Sequence, residues 1–495
     1  MNLLPLFVAV PLAGAFLLPL VSWSHGGKKF ARLPDLLSNL ITFSLLGLAL
    51  SFVGASGRYI MGRWEPPIGI TLVVDGLTVL MLITVALVSF MATLFSVNYM
   101  EQYTSKARYY SLFMLMLAGM NGMVITGDLF NLFVFMEIAS IACYALVGFG
   151  CEAEELEASF KYMVISEIGS ALVLLAIAVL YGILGTLNMA HLARSMAQAG
   201  ASPGLNFCLG LLIAGFGIKA ALVPFHAWLP DAHPSAPAPI SAMLSGVVIK
   251  VLGIYAMIRV VFNVFGFQPV ASALFIVLGA TSMVLGILLA AGQWDIKRLF
   301  AYSSISQVGY ILVGVGLGTP LGILGGLFHL VNHSVFKSLL FLNSGALVYE
   351  LETRDLKEMG GLRDRMPVTA NTSLIASMSI SGIPPFNGFW SKLIIILACV
   401  QARRYALAAC AVFASIVCLV AFAKVQRYAF LERAKEKGHN VKEVPALMTV
   451  PMVVLALLCV GLGLLLVPGV RALVLQPAVE ALLQGPAGYA DKVLP

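Results

Sequence analysis

Seven ionisable side chains stand inside stretches of sequence that are otherwise apolar: Glu137, Lys219, Lys250, His329, His333, Lys337 and Lys392. A charge kept at the centre of a bilayer costs a few kcal/mol or more, so each needs a partner, a water-filled pocket or a task. Carboxylate, ammonium and imidazole groups in that setting can hold a proton and pass it on. Glu137 lies near the middle of the run Asn131-Leu-Phe-Val-Phe-Met-Glu137-Ile-Ala-Ser140. His329, His333 and Lys337 are spaced i, i+4, i+8 and so project from one face of one helix. A lone buried histidine is usually a packed core residue. Three titratable groups on one stripe are not explained by packing. Lys250 is about ten residues into its run, too deep to reach the interface by stretching its stem.

Two further lysines flank places where a helix has to break. Lys219 sits four residues before the end of its apolar run, close enough for its stem to reach the interface, and is followed by Pro224, His226, Pro230, Asp231, His233 and Pro234. Backbone carbonyls freed at membrane depth are tolerated only where they face protein or water, which is how discontinuous helices build ion sites. Lys392 follows Ser381-Gly-Ile-Pro384-Pro385-Phe-Asn387-Gly388, which interrupts an apolar stretch of about thirty residues. His226 and His233 in the first break are secondary candidates, as are Lys424 and Glu167, read as lying near span ends. Asp75, ahead of Gly76-Leu-Thr, has the position of a helix N-cap.

The elements that position these groups follow from composition. Hydrophobic residues make up 60% of the 495 and charged residues 11%, with a mean hydropathy of +0.96. Too little polar surface is left to coat a soluble particle of this size, so the bilayer is the solvent. Apolar stretches near 2–22, 35–55, 72–98, 109–126, 129–149, 160–183, 205–223, 240–265, 270–291, 299–317, 321–348, 368–400, 406–430 and 446–468 predict fourteen transmembrane helices in an all-α polytopic protein. The first lacks a basic start and a cleavage site and is read as a permanent span. Loops after odd-numbered spans hold about 17 Lys/Arg, among them Lys28, Lys29, Arg354, Arg363, Arg365 and Lys437, against about 8 on the other side. Both termini are therefore expected on the non-cytoplasmic side. All seven cysteines except Cys151 fall within spans, without CxxC or Cys/His ligand spacing. No Walker loop, dinucleotide fingerprint or nucleophile elbow occurs. No catalytic centre, cofactor or metal is expected, and the basic loops lack the interleaved aromatics of a nucleic-acid surface.

The chain also repeats itself. Pro224-Phe-His-Ala-Trp228 lies over Pro385-Phe-Asn-Gly-Phe389, Asp128 over Asp295, and Lys250 ahead of Tyr255 and Arg259 over Lys424 ahead of Arg427 and Tyr428. A period of about 165 residues maps spans 4–8 (109–265) onto spans 9–13 (270–430), leaving 1–108 before the repeats and 446–495, a last helix and tail, after them. Five spans per copy is an odd number, so the second copy must be inverted. Two details do not match: Lys219 precedes its proline while Lys392 follows, and the counterpart of Glu137 falls near Ser304.

These residues resemble the antiporter-like subunits shared by respiratory complex I, membrane-bound hydrogenases and Mrp cation/proton antiporters. The likeness is carried by the glutamate of the fifth span and by Leu229-Pro-Asp-Ala-His233-Pro-Ser-Ala-Pro-Ala-Pro-Ile-Ser-Ala-Met-Leu-Ser-Gly, and covers about residues 70–430. Gly127-Asp-Leu-Phe-Asn-Leu-Phe-Val-Phe-Met-Glu137, Leu187-Asn-Met-Ala-His191-Leu and Phe328-His-Leu-Val-Asn-His333-Ser-Val-Phe-Lys337 look closest to the D-type Mrp subunit. The resemblance implies roles for Glu137, the broken-helix Lys219, the central Lys250, the His329/His333/Lys337 helix and the second-repeat Lys392. It implies a proton half-channel in each repeat, joined by a hydrated polar axis in the membrane plane. It implies too a place in a bacterial or archaeal cytoplasmic membrane, among homologous and small hydrophobic subunits.

The expected function is translocation of H⁺, with Na⁺/H⁺ antiport open, by a subunit of a larger complex. That complex is either a Mrp antiporter or a redox-driven pump whose centres sit on partner chains. A stand-alone organic-solute transporter is the competing class, but the breaks carry lysine and histidine without a set of carboxylates or amides for a solute.

Overall fold

A backbone N–H or C=O facing hydrocarbon must be bonded within its own segment, so apolar runs of membrane length become helices. The computed structural model describes residues 1–24, 32–66, 68–103, 105–200, 202–435 and 441–494. Lys28, Lys29 and Lys437 lie outside the described residues. The helices are α1 Leu6–Ser24, α2 Leu33–Ser51, α3 Gly76–Tyr99, α4 Lys106–Ile125, α5 Leu129–Val147, α6 Ala153–Leu184, α7 Met189–Ala199, α8 Pro203–Lys219 and α9 Leu229–Ser235. There follow α10 Ala238–Phe265, α11 Pro269–Ala291, α12 Ile296–Gly316, α13 Pro320–Leu351, α14 Pro367–Ser381, α15 Asn387–Gln401, α16 Tyr405–Leu431, α17 Ala446–Leu466, α18 Pro468–Leu483 and α19 Gly485–Val493. Among the described residues nine of these are long and apolar enough to cross a membrane. The chain is an all-α polytopic membrane protein.

Two helices are shut away from lipid. Every residue of α10 is buried. In α13 burial runs unbroken from Gly322 to Leu347 although the helix carries His329, Asn332, His333, Lys337 and Asn343. Side chains of that kind survive at depth because other helices surround them.

Three local features differ from the expectation. The third span does not begin at 72: Thr71–Val74 is a strand, paired antiparallel with Gly57–Ile60 in the register Gly57↔Val74, and α3 starts only after Asp75. A short β-branched apolar run reads the same as a helix start by pattern alone. The sixth span starts at Ala153 rather than 160, because Glu152 and Glu155 form a capping box that draws the charged turn into the helix. The segment after the last span is helical as well. Asn263 donates to the carbonyl of Ala481 on α18 at 2.7 Å, and Arg58 donates to the carbonyl of Val493 on α19.

Several contacts recur at a fixed offset. The isolated bridge Asp128↔Asn188 has its counterpart in Asp295↔Asp355, both residues displaced by 167 (295 − 128 and 355 − 188). The surrounding bonds match: Leu129 N to Leu187 O (2.8 Å) and Met189 N to Gly127 O (2.9 Å) against Ile296 N to Arg354 O (3.0 Å) and Leu356 N to Trp294 O (3.0 Å). Helix pairs approach at the same positions. A Cβ on Gly119 would fall 2.7 Å from the carbonyl of Phe135, and one on Gly286 3.0 Å from that of Tyr302, so only glycine fits.

Candidate functional site

Asp128 caps α5 by accepting from Asn131 N at 2.8 Å, which sets the phase in which Glu137 emerges two turns on. Helix α8 ends at Lys219, since Ala221 turns left-handed (φ 54°) and Pro224 follows. The two meet. Lys219 Nζ is 3.6 Å from Glu137 Oε1 and donates to Ser166 Oγ (2.7 Å) and Ser140 Oγ (3.0 Å), while Ser170 Oγ donates to Glu137 Oε1 at 2.5 Å. The charges attract but do not bond directly, and serines of α5 and α6 hold each in place. Position had left Lys219 free to reach the interface; its side chain is 1% exposed and turned inward.

Glu167 needs correction. With α6 starting at Ala153 it is far from either helix end, next to Ser166 and one turn from Ser170, and it accepts from Tyr144 OH at 3.2 Å. Glu167 belongs to the Glu137–Lys219 cluster.

Lys250 sits where α10 widens into π turns, Leu244–Val248 and Lys250–Tyr255. Wide turns leave carbonyls free of the regular ladder, and they recur at functional sites. Lys250 Nζ donates to Gly246 O at 2.8 Å and to Ser245 O. Ser245 Oγ in turn meets Ser304 Oγ of α12 at 2.7 Å. Ser304 lies 167 residues after Glu137, the same offset as between the two isolated bridges. One turn along α10, Gly253 lies against Ala220, where a Cβ would come within 2.5 Å, so the widened helix abuts the first break.

The α13 stripe is wholly buried. His329 Nδ1 meets Ser391 Oγ at 2.9 Å, and Lys337 donates to Phe300 O (2.7 Å) and Ser303 Oγ (2.5 Å) within a ring of Phe300, Phe341 and Phe422. Neither ring nitrogen of His333 has a protein partner, nor has His329 Nε2, nor either amide atom of Gln307. Buried polar atoms are as a rule bonded to protein or to ordered water, so these stand out from the packing around them. Lys392 donates to Ile380 O at 2.7 Å and lies over the Tyr310 ring at 4.8 Å. Among the described residues no carboxylate lies within ion-pair distance of Lys250, Lys337 or Lys392.

The secondary candidates divide. His233 is fully buried, stacks on Phe341 at 4.6 Å and joins the stripe. His226 is partly exposed beside Tyr302 and stands apart. Lys424 donates to the carbonyls of Ala291 (2.7 Å) and Gln293 (2.5 Å) over the Trp294 ring, as a helix-end lysine would. Asp75 caps α3 as expected, accepting from Thr78 N at 2.9 Å, and also grips Arg259 through both oxygens at 2.6 and 2.7 Å. Sequence reading missed Lys297, which is 3% exposed and donates to Ala236 O at 2.9 Å. The run Asp295-Ile-Lys-Arg reads as a wet helix start, and no pattern marks Lys297 from Arg298.

A polytopic membrane protein with a line of enclosed titratable groups across its core is the class that this fold and site define. Residues 126–418 match the family described as NADH:quinone oxidoreductase/Mrp antiporter, TM, and residues 65–110 match NADH-Ubiquinone oxidoreductase (complex I), chain 5 N-terminus. The chain belongs to the NADH:quinone oxidoreductase/Mrp antiporter transmembrane family. It is 36% identical over 481 residues to NADH-quinone oxidoreductase subunit N of Desulforudis audaxviator, covering 93% of this chain and 94% of that one. It is 35% identical over 435 residues to the D-type subunit of the Na⁺/H⁺ antiporter of Alkalihalophilus pseudofirmus, covering 88% and 85%. A chain in the structure of the Mrp complex from Dietzia sp. DQ12-45-1b matches with a TM-score of 0.90 and 29% identity over 100% of this chain and 99% of that one.

Proposed function

We propose that this chain is the ion-translocating subunit of a multi-subunit complex in a prokaryotic cytoplasmic membrane, moving protons, alone or against Na⁺, through its buried Glu, Lys and His side chains. The observation that carries the reading is the Glu137–Lys219 pair, 3.6 Å apart and spaced by serines. Burial disfavours a charged lysine and a nearby carboxylate favours it, so opening and closing the pair alternately releases and takes up a proton. Lys250, the His329/His333/Lys337 stripe and Lys392 carry the charge onward, coupled through a low-dielectric interior. Serine bridges such as Ser245–Ser304 and orphaned nitrogens that bind water link the steps.

Fourteen crossings, both termini outside the cytoplasm and two inverted five-helix repeats complete the proposal. The repeats are supported by the 167-residue offset of the Asp128↔Asn188 and Asp295↔Asp355 contacts. The first joins loops after even-numbered spans and the second joins loops after odd-numbered ones, as inversion requires.

The test is ion-coupled activity of the assembled complex in vesicles carrying Glu137→Ala or Lys219→Ala. Activity preserved in both variants overturns the reading. A redox-driven parent complex is favoured by the 36% identity to a quinone oxidoreductase subunit, and a Mrp antiporter by the match to the D-type antiporter chain. Iron–sulfur or nickel–iron proteins co-purifying with the chain mark the first, and small hydrophobic subunits alone mark the second.

A further inference from the structure

A polar cleft of about 830 Å³ opens among the loops that follow odd-numbered spans. Its walls carry Glu152, Glu154, Glu155 and Glu352 against Arg354 and Lys297. Arg354 is already engaged, with Glu154 at 3.1 Å and Asp295 at 3.3 Å, so the cleft keeps a negative balance that concentrates cations, protons included. Lys297 forms the floor and is almost wholly covered. Its ammonium donates to the carbonyls of Ala236 (2.9 Å) and Pro234 (3.4 Å) in the first break. The residue before Pro234 is His233, fully buried, with neither ring nitrogen bonded to protein. From there the groups are continuous with the stripe. His233 stacks on Phe341, Lys337 lies 5.9 Å from the same ring, and Lys337 is tied to Phe300 and Ser303, one and two turns along α12 from Lys297.

We propose that this cleft is the aqueous mouth through which protons reach the buried stripe, and that Lys297 passes them inward. The inference rests on the translocation reading and names its port. In the step, the Lys297 ammonium gives a proton to a ring nitrogen of His233, and the resulting amine takes a proton from hydronium that the bulk solution supplies to the cleft. No other co-reactant is needed.

Two experiments on the assembled complex in vesicles test it. Lys297→Arg keeps a cation that can donate to the two carbonyls, but guanidinium does not give up its proton. The port role predicts that Lys297→Arg loses transport as fully as Lys297→Met; a tether role predicts that arginine rescues. An active Lys297→Arg overturns the proposal. Ala153 is exposed on the cleft wall and uses no side-chain bond, so Ala153→Cys, with the exposed Cys151 replaced by serine, offers a handle for a bulky cationic thiol reagent. Modification stops proton uptake and reduction of the adduct restores it, with the treated Cys151→Ser parent as reference. Complete labelling with unchanged uptake also overturns the proposal. Glu137→Ala in the same vesicles separates the two levels. If it stops transport while the plugged cleft and Lys297→Arg do not, the port alone falls; if Glu137→Ala and Lys219→Ala both still transport, the underlying reading falls.

Discussion

The Lys392 ammonium reaches back across its break to donate to the carbonyl of Ile380 at 2.7 Å. Ile380 precedes Pro385 by five residues, as Lys219 precedes Pro224 by five. The two lysines therefore start on opposite sides of their prolines, and Lys392 returns its charge to the register of Lys219. The mismatch seen in the sequence is one of backbone position. What the second copy of the proposed repeat lacks is the acid, for Ser304 lies 167 residues after Glu137, the offset at which the Asp128 and Asp295 contacts recur.

Lys392→Met should leave the complex assembled and stop ion transport. The methionine stem fills a similar volume without the charge, and the carbonyl of Ile380 also has Cys418 Sγ at 3.6 Å. Proton uptake by vesicles, measured beside the yield of intact complex, checks this. Transport near the wild-type rate would remove Lys392 from the path.

Glu137→Gln keeps an oxygen to accept from Ser170 but removes the charge facing Lys219. Ion-coupled turnover should fall by at least about a hundredfold, the low end of what a positioned proton-transfer group contributes. Glu137→Asp, with its charge withdrawn by one methylene, should fall between the two. A glutamine variant as fast as wild type would show that the Lys219 proton does not answer to the carboxylate.

The helices and most of the buried charges were legible because each charge interrupts an apolar run, a contrast that needs no tertiary information. The depth of Glu167 and the burial of Lys297 were not, because both follow charged turns that look like loop ends. Whether such a turn is wet depends on what packs over it. The Ser245–Ser304 bridge was hidden for another reason: serine is common in buried helices, and only the meeting of α10 with α12 pairs these two. The strand Thr71–Val74 was lost to the ambiguity of four apolar residues.

His333→Leu is expected to separate stability from transport. Neither imidazole nitrogen bonds to protein, so an apolar side chain of similar size removes two buried polar atoms without stranding a partner, a change that is near neutral or stabilising. Thermal unfolding of the purified complex should be unchanged or raised while proton transport is lost. A variant that transports normally would place the route elsewhere than on the α13 stripe.

Asp75 and Arg259 predict a different phenotype. Burial on its own would raise the Asp75 carboxyl, but the Arg259 guanidinium, with Thr78, outweighs it and holds the group below its usual value. A folded-state value below the unfolded one contributes stability that is present above the unfolded pKa, about 3.9, and is lost as pH falls through the folded one. Asp75→Ala leaves Arg259 buried and unpaired, at a cost of about 3–5 kcal/mol. The wild type should therefore unfold at a higher temperature than Asp75→Ala at neutral pH, with the gap narrowing below about pH 4. A gap independent of pH would assign the pair's contribution to packing.

The orientation of the whole chain can be read from Cys151, which is exposed while Cys143, Cys208, Cys399, Cys418 and Cys459 are buried. It follows α5, on the face that gathers Lys161, Arg298 and Arg354 with their acidic partners Asp231 and Glu154. The proposed orientation, argued from the excess of Lys and Arg on such loops, has that face in the cytoplasm. A membrane-impermeant maleimide should label Cys151 in inside-out vesicles and not in intact cells. Labelling confined to intact cells would turn the protein over. The cleft above Lys297 would then open outward, and the proton that Lys297 passes would enter from the other side of the membrane.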